Sequence, residues 1–187
     1  MPRDSLRARL ALVVAVAALL GSAPAASARP SRYRTTPVSG SWFVTGCVPT
    51  KAPSGVGFPM TLEARCVGEV TGGWTGYYTD DERGTEDSTL SMHLRGVLTL
   101  YGTASDGTCG SLRIATRTET DGSTDVEHST GTIVGGTGDW AGSRGTYRTT
   151  GQFDTAEGNG DYQGSWLRPR SAPQGRSSPC LPPTPAP

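Results

Sequence analysis

Leu90-Ser91-Met92-His93-Leu94-Arg95-Gly96-Val97-Leu98-Thr99-Leu100 is apolar or glycine at every even position and mostly polar at the odd ones. A period of two places the even side chains on one face of an extended chain and the odd ones on the other, so the stretch reads as a strand with one wet face. Weaker segments of the same kind surround it: 38–47, 60–71, 73–80, 109–120, 124–134, 145–154 and 160–168, each bounded by Gly, Asp, Ser or Pro. Asp106-Gly107 and Asp121-Gly122 stand between strand-like runs, where a tight hairpin needs a positive φ that glycine adopts without strain. After residue 28 no run of ten or more residues carries a 3.6-residue apolar period.

About eight short antiparallel strands joined by hairpins leave two all-β architectures, a two-sheet sandwich or a closed up-and-down barrel. The even spacing favours the barrel. Glycines inside strands, at 68, 76, 96, 110, 151 and 164, point the same way, because a small, tightly coiled barrel needs places without a Cβ where strands bend.

The start of the chain reads as a secretory signal peptide: Arg3, Arg7 and Arg9 precede an apolar run from Leu10 to Leu20, and Ala26-Ser27-Ala28 fits a cleavage site. Eleven apolar residues are too few to span a bilayer about 30 Å thick as a helix. A secreted protein without integral membrane association is therefore expected, cleaved near Ala28. The expected organisation is a signal over 1–28, a disordered arm over 29–37, a barrel domain over 38–168 and a Pro-rich tail over 169–187. Seventeen basic against 17 acidic residues leave no charge to draw in nucleic acid.

Leu, Ile, Val and Phe supply only 22 of the 159 residues after position 28. So small an aliphatic core calls for covalent support. Cys47, Cys66, Cys109 and Cys180 lack a Cys-x-x-Cys spacing, which in an exported chain argues for two disulfides rather than zinc or redox chemistry. If the strands run up and down, Cys47 and Cys66 fall on neighbouring strands, and Cys109 falls at the rim that the tail leaves. The expected pairs are Cys47–Cys66 and Cys109–Cys180.

The most distinctive segment is Thr132-Ile-Val-Gly135-Gly136-Thr137-Gly138-Asp139-Trp140-Ala141-Gly142-Ser143-Arg144-Gly145-Thr146-Tyr147. Gly136, Gly138 and Ala141 meet the letter of a dinucleotide-binding fingerprint, but that mechanism needs a following helix, and Arg144–Phe153 is β-branched and aromatic. No P-loop lysine follows. The segment resembles instead a Gly-Gly-Thr-Gly-x-aromatic element of the allene oxide cyclase-like barrel superfamily, which includes plant dirigent proteins and secreted bacterial relatives. Gly135, Gly136, Thr137 and Gly138 match, Trp140 takes the aromatic place, Ser143 replaces the usual Ala, and Gly145 closes the element. The resemblance implies that the glycines turn the chain at the barrel rim while the aromatic ring plugs one end. Allene oxide cyclases close a cyclopentenone ring and dirigent proteins steer phenoxy-radical coupling in an apolar cavity; no functional residue of either is carried over to this chain.

Candidate chemistry is sparse. By parity His93 faces water, whereas His128 shares the face of Val126 and is a candidate cavity residue. Glu63 and Glu69 lie in a charged row with Arg65, read as an outer face, as are the rows of Arg113 with Arg117 and of Arg148 with Gln152. Asp80-Asp81-Glu82-Arg83-Gly84-Thr85-Glu86-Asp87 reads as a solvated hairpin tip, with a calcium site as the alternative. No metal or cofactor is expected. Trp42, Trp74, Tyr78, Tyr162 and Trp166 have parities that let them converge on one interior, where they line a cavity or simply fill it.

The expectation is a protein that binds a small apolar or aromatic molecule in the barrel mouth without catalysis. An isomerase or cyclase using the same cavity is the first alternative and requires an inward ionisable group with a perturbed pKa. The second is an extracellular interaction protein with a filled barrel, whose partner would include a second copy of itself as a homodimer.

Overall fold

The alternation around Leu94 runs through a strand longer than its sequence pattern, and each neighbour behaves alike. The structure, a computed structural model, describes residues 32–54, 57–154 and 157–170. Its eight strands are β1 (Tyr33–Ser54), β2 (Met60–Gly72), β3 (Trp74–Glu86), β4 (Met92–Ala104), β5 (Cys109–Asp121), β6 (Val126–Gly138), β7 (Arg144–Asp154) and β8 (Glu157–Pro169). Each pairs antiparallel with the next, and β1 pairs with β8, so the sheet closes into a barrel. The expected signal peptide and nearly all of the tail lie outside the described residues.

Closure explains why the expected arm does not begin the domain where predicted. A strand that closes a staggered barrel has partners offset along its length. In β1 the segment Tyr33–Val44 pairs with β8 and Gly40–Ser54 pairs with β2. Residues 33–37 therefore belong to the sheet, and Pro169 ends β8 opposite Tyr33.

β5 displays the interior pattern. Leu112, Ile114, Thr116, Thr118 and Thr120 are buried, while Arg113, Ala115, Arg117 and Glu119 are exposed. The inward row is apolar at one end and polar at the other, and the same gradient recurs on β3 from Trp74 through Tyr78 to Asp80 and Glu82. The lumen is thus polarised along the barrel axis.

At the apolar end Trp74, Trp140 and Trp166 are fully buried. Their rings meet edge to face, with centroids 5.4, 5.5 and 5.6 Å apart, a geometry that matches ring edge to ring face. Trp140 sits in the turn after β6, whose shape follows from the glycine-rich segment. Gly138 adopts φ 61°, and a Cβ on Gly136 would come within 2.4 Å of the Trp140 carbonyl. Asp139 Oδ2 accepts from the Cys109 amide at 3.0 Å, and Arg168 lies 5.3 Å over the Trp140 ring while pairing with Asp106 at 3.2 Å. The element therefore turns the chain and plugs the rim, as the resemblance implied. Tyr162 ties β8 to the opposite wall: its hydroxyl accepts from Trp74 N at 2.8 Å and donates to Trp74 O at 3.2 Å.

The two Asp-Gly hairpins use glycine for different reasons. Gly107 has φ 79°, as expected of a tight turn. In the second hairpin the left-handed residue is Asp125, φ 55°, while Gly122 makes room, because a Cβ there would stand 2.3 Å from the Thr89 carbonyl. Several strand glycines likewise face inward aromatics; a Cβ on Gly68 would lie 2.6 Å from the Tyr78 ring.

Cys47 and Cys66 are directly opposite in the β1–β2 ladder and form a disulfide. A register shift between Val44 and Gly46 lets Trp42 and Val44 face inward on one side of it and Cys47 and Pro49 line the lumen on the other. Cys109 is also disulfide-bonded, and its expected partner Cys180 lies outside the described residues. Substituting Cys47 and Cys66 together by Ala is expected to lower the unfolding free energy by about 2–4 kcal/mol in denaturant titrations, because the bridge limits the unfolded chain. A loss below about 0.5 kcal/mol, the level of an ordinary surface substitution, would show that the ladder alone holds this register.

Candidate functional site

The end of the barrel opposite the tryptophans is open. A cavity of about 360 Å³ occupies this mouth. Its apolar walls come from Pro49 and Pro53 of β1, Leu62 of β2, Met92 and Leu94 of β4, Leu90 of the loop before β4 and Phe153 of β7, and Glu82 and Glu127 also line it. Deeper lies a chamber of about 40 Å³ bounded by Trp42, Tyr78, Asp80, Leu98, Tyr147 and Thr149; the two spaces share Cys66, Glu82, Glu127 and Phe153 as common walls.

The carboxyls arise from strand alternation. On β3 the even positions Trp74, Tyr78, Asp80 and Glu82 face inward, and on β6 the odd positions Glu127, Ser129 and Ile133 do. Thr118 Oγ1 donates to Glu82 Oε1 at 2.6 Å and lies 3.2 Å from Ser129 Oγ. Asp80 Oδ1 is buried with no hydrogen-bond partner in the protein, as are Trp42 Nε1 and Thr149 Oγ1. Burial disfavours the charged form of a carboxyl, and neighbouring carboxylates disfavour it further. Burial, followed by Glu82, Glu127 and Asp81, accordingly holds Asp80 well above the usual carboxyl range. Burial raises Glu82 against the hydrogen bond from Thr118. Burial and the Glu82 charge push Glu127 up to about 7. A group titrating there can give or take a proton near neutral pH. Burial also raises the Tyr78 and Tyr147 phenols, so both remain neutral donors.

The acidic run 80–87 is thus not a hairpin tip. Seven of its residues belong to β3, alternating inward and outward, and only Asp87 lies in the loop, where its Oδ1 accepts from the Thr89 amide at 2.8 Å. Among the described residues no group of three His, Cys, Asp or Glu side chains is placed to hold a metal ion.

Of the expected cavity residues, Trp42 and Tyr78 line the inner chamber. Trp74 and Trp166 are instead consumed in the plug, and Tyr162 is spent on its bonds to Trp74. His128 points out of the barrel: the inward row of β6 is the odd one, and the exposed imidazole has Nδ1 3.2 Å from Thr150 Oγ1. His93, Glu69, Arg113, Arg117 and Arg148 are exposed, as their parity predicted. The sequence did carry a signal for the missed carboxyls, since the spacing Trp74-x-Gly76-x-Tyr78 continues without interruption to Asp80 and Glu82.

No family model and no curated protein matches the chain. Among solved structures, one pterocarpan synthase dirigent protein is 18% identical with a TM-score of 0.49, the match covering 79% of this chain and 99% of that one. A second is 20% identical with a TM-score of 0.50 over 74% of this chain and 97% of that one. The likeness at these identities concerns the backbone: the chain has the fold of a dirigent-like β-barrel.

Proposed function

We propose that the open mouth binds a small molecule with an apolar body, whose polar end reaches inward to Glu82, Glu127 and Asp80. The observation that carries this reading is a lumen filled at one end only, with apolar walls above a few convergent polar groups, the arrangement ligand pockets commonly share. The dirigent-like fold supports a binding or guiding role. The disulfide is in keeping with a protein working outside the cytoplasm, and among the described residues no helix is long and apolar enough to cross a membrane. The isomerase or cyclase alternative is favoured by Glu127, whose proton is exchangeable near neutrality.

The test is titration with N-phenyl-1-naphthylamine, an uncharged dye that brightens in apolar surroundings. Saturable brightening by the native protein, abolished in Leu94→Trp, which fills the mouth, is the expected result. Absence of saturation, or saturation indifferent to Leu94→Trp, would overturn the reading.

A further inference from the structure

We propose that the ligand of this mouth is a primary amine, its ammonium group seated in the inner chamber and its apolar body in the mouth. This rests on the preceding reading of the mouth as a ligand site and adds the ligand's charge and head group. The inner chamber is bounded by three carboxyl-bearing side chains, Asp80, Glu82 and Glu127, and by no basic one. Lys51, at the mouth, is engaged with Glu63 Oε1 at 3.4 Å on the neighbouring strand.

Asp80 supplies an independent indication of a ligand. Its Oδ1 is buried without a protein partner, and a buried acceptor in that condition is costly unless a donor reaches it. An ammonium brings three donors and a charge opposite to that of the carboxylates lining a chamber with no basic side chain; an alcohol brings one donor and no charge. The rest of the chamber suits a cation too, since the aromatic rings of Trp42, Tyr78, Tyr147 and Phe153 bound it, and ring faces attract ammonium groups. Size limits the head group. A chamber of about 40 Å³ holds a group of water-like dimensions, which fits –NH₃⁺ and excludes a ring. A metal ion fits poorly, because the carboxyls are not gathered into a set of three around one point.

Proton linkage provides a second signature. Glu127 faces Tyr78, Asp80 and Glu82 from β3, Tyr147 and Thr149 from β7, and only the hydroxyls of Thr118 and Thr120 from β5; Lys51, Glu63, Glu86 and Asp125 stand around the mouth. No cation among them competes for the inner carboxyls. Seating an ammonium therefore favours their ionised forms, so amine affinity must rise as pH rises.

The test is calorimetric titration of the disulfide-intact chain with 3-phenylpropylamine, 3-phenylpropan-1-ol and 3-phenylpropanoate at pH 6 and pH 8. At pH 8 the amine is expected to bind at least about tenfold more tightly than the alcohol, and at pH 6 about tenfold more weakly than at pH 8, following titration of Glu127. The carboxylate is expected to show no binding. The amine-over-alcohol ratio is expected to collapse in Glu127→Gln, with near-UV circular dichroism checking that the variant is folded. Equal binding of alcohol and amine at both pH values would overturn the amine assignment and leave the mouth as a ligand site. Binding by none of the three would overturn both.

Discussion

Trp140→Ala is expected to destabilise the barrel by about 3–5 kcal/mol, the range for emptying a buried Phe or Trp site. That is a large fraction of the roughly 5–15 kcal/mol by which such domains are stable. The ring is fully buried and edge-on to both Trp74 and Trp166, so its removal leaves a void that two large rigid rings cannot close by small shifts. It also strips Arg168 of the face it covers. Guanidinium denaturation of the variant beside the native protein measures the effect. Val134→Ala is the control, because Val134 lies outside the plug and is 59% exposed, and its change is expected to stay within about 0.5 kcal/mol. Similar midpoints for the two variants would mean that the plug does not hold the barrel's closed end together.

Thermal melts between pH 4 and pH 8 are expected to show stability falling as pH rises, the reverse of the usual behaviour of a protein rich in paired carboxylates. A carboxyl whose folded pKa is raised binds its proton more tightly when folded. Its contribution is complete below the unfolded value and is lost as pH climbs through the folded one. For Glu127 that window runs from the ordinary 4.5 to about 7, and a shift of this size corresponds to about 3 kcal/mol. Asp80 and Glu82 act in the same direction. Asp87, Asp106 and Asp121, held below their ordinary value by turn hydrogen bonds, oppose the trend only in stronger acid. The transition temperature is therefore expected to peak at about pH 4–5. Glu127→Gln, which keeps the shape and removes the charge, is expected to flatten the decline and raise stability at pH 8. A transition temperature that rises from pH 5 to pH 8 would refute the assignment of these carboxyls to the lumen.

Both expectations turn on which residues face inward, and the sequence was informative about this only in part. On β4 and β5 the alternation is uninterrupted, and parity alone places Leu98, Leu100, Leu112 and Ile114 inside. On β1 and β6 it is not. The register shift near Thr45 changes which positions of β1 face the lumen, and the shift between Ile133 and Gly135 leaves Val134 outward. A displacement of one residue exchanges the two faces of a strand, and nothing in composition marks where the extra residue falls. His128 was misplaced for a simpler reason: Val126 itself stands on the outward row of β6 with His128 and Thr130, so parity counted from it put His128 inside, whereas Glu127 and Ser129 face the lumen.

The acidic run was misread for a related reason. Five carboxyls in eight residues look like solvated surface when charge is taken to mean exposure, whereas β3 carries its alternation through them and delivers Asp80 and Glu82 to the lumen.

What the sequence determined by itself was the all-β class, the strand count and the Cys47–Cys66 pair; the rim-plugging role of the Gly135–Trp140 element was implied by its family resemblance. These are local properties, set by period-two patterning, turn chemistry and the glycines a tight loop requires. Only the tertiary structure decided that the tryptophans gather at one end and the carboxyls face each other across the other. Those partners are contributed by strands far apart in the chain, and their meeting depends on the stagger with which β1 and β8 close the barrel.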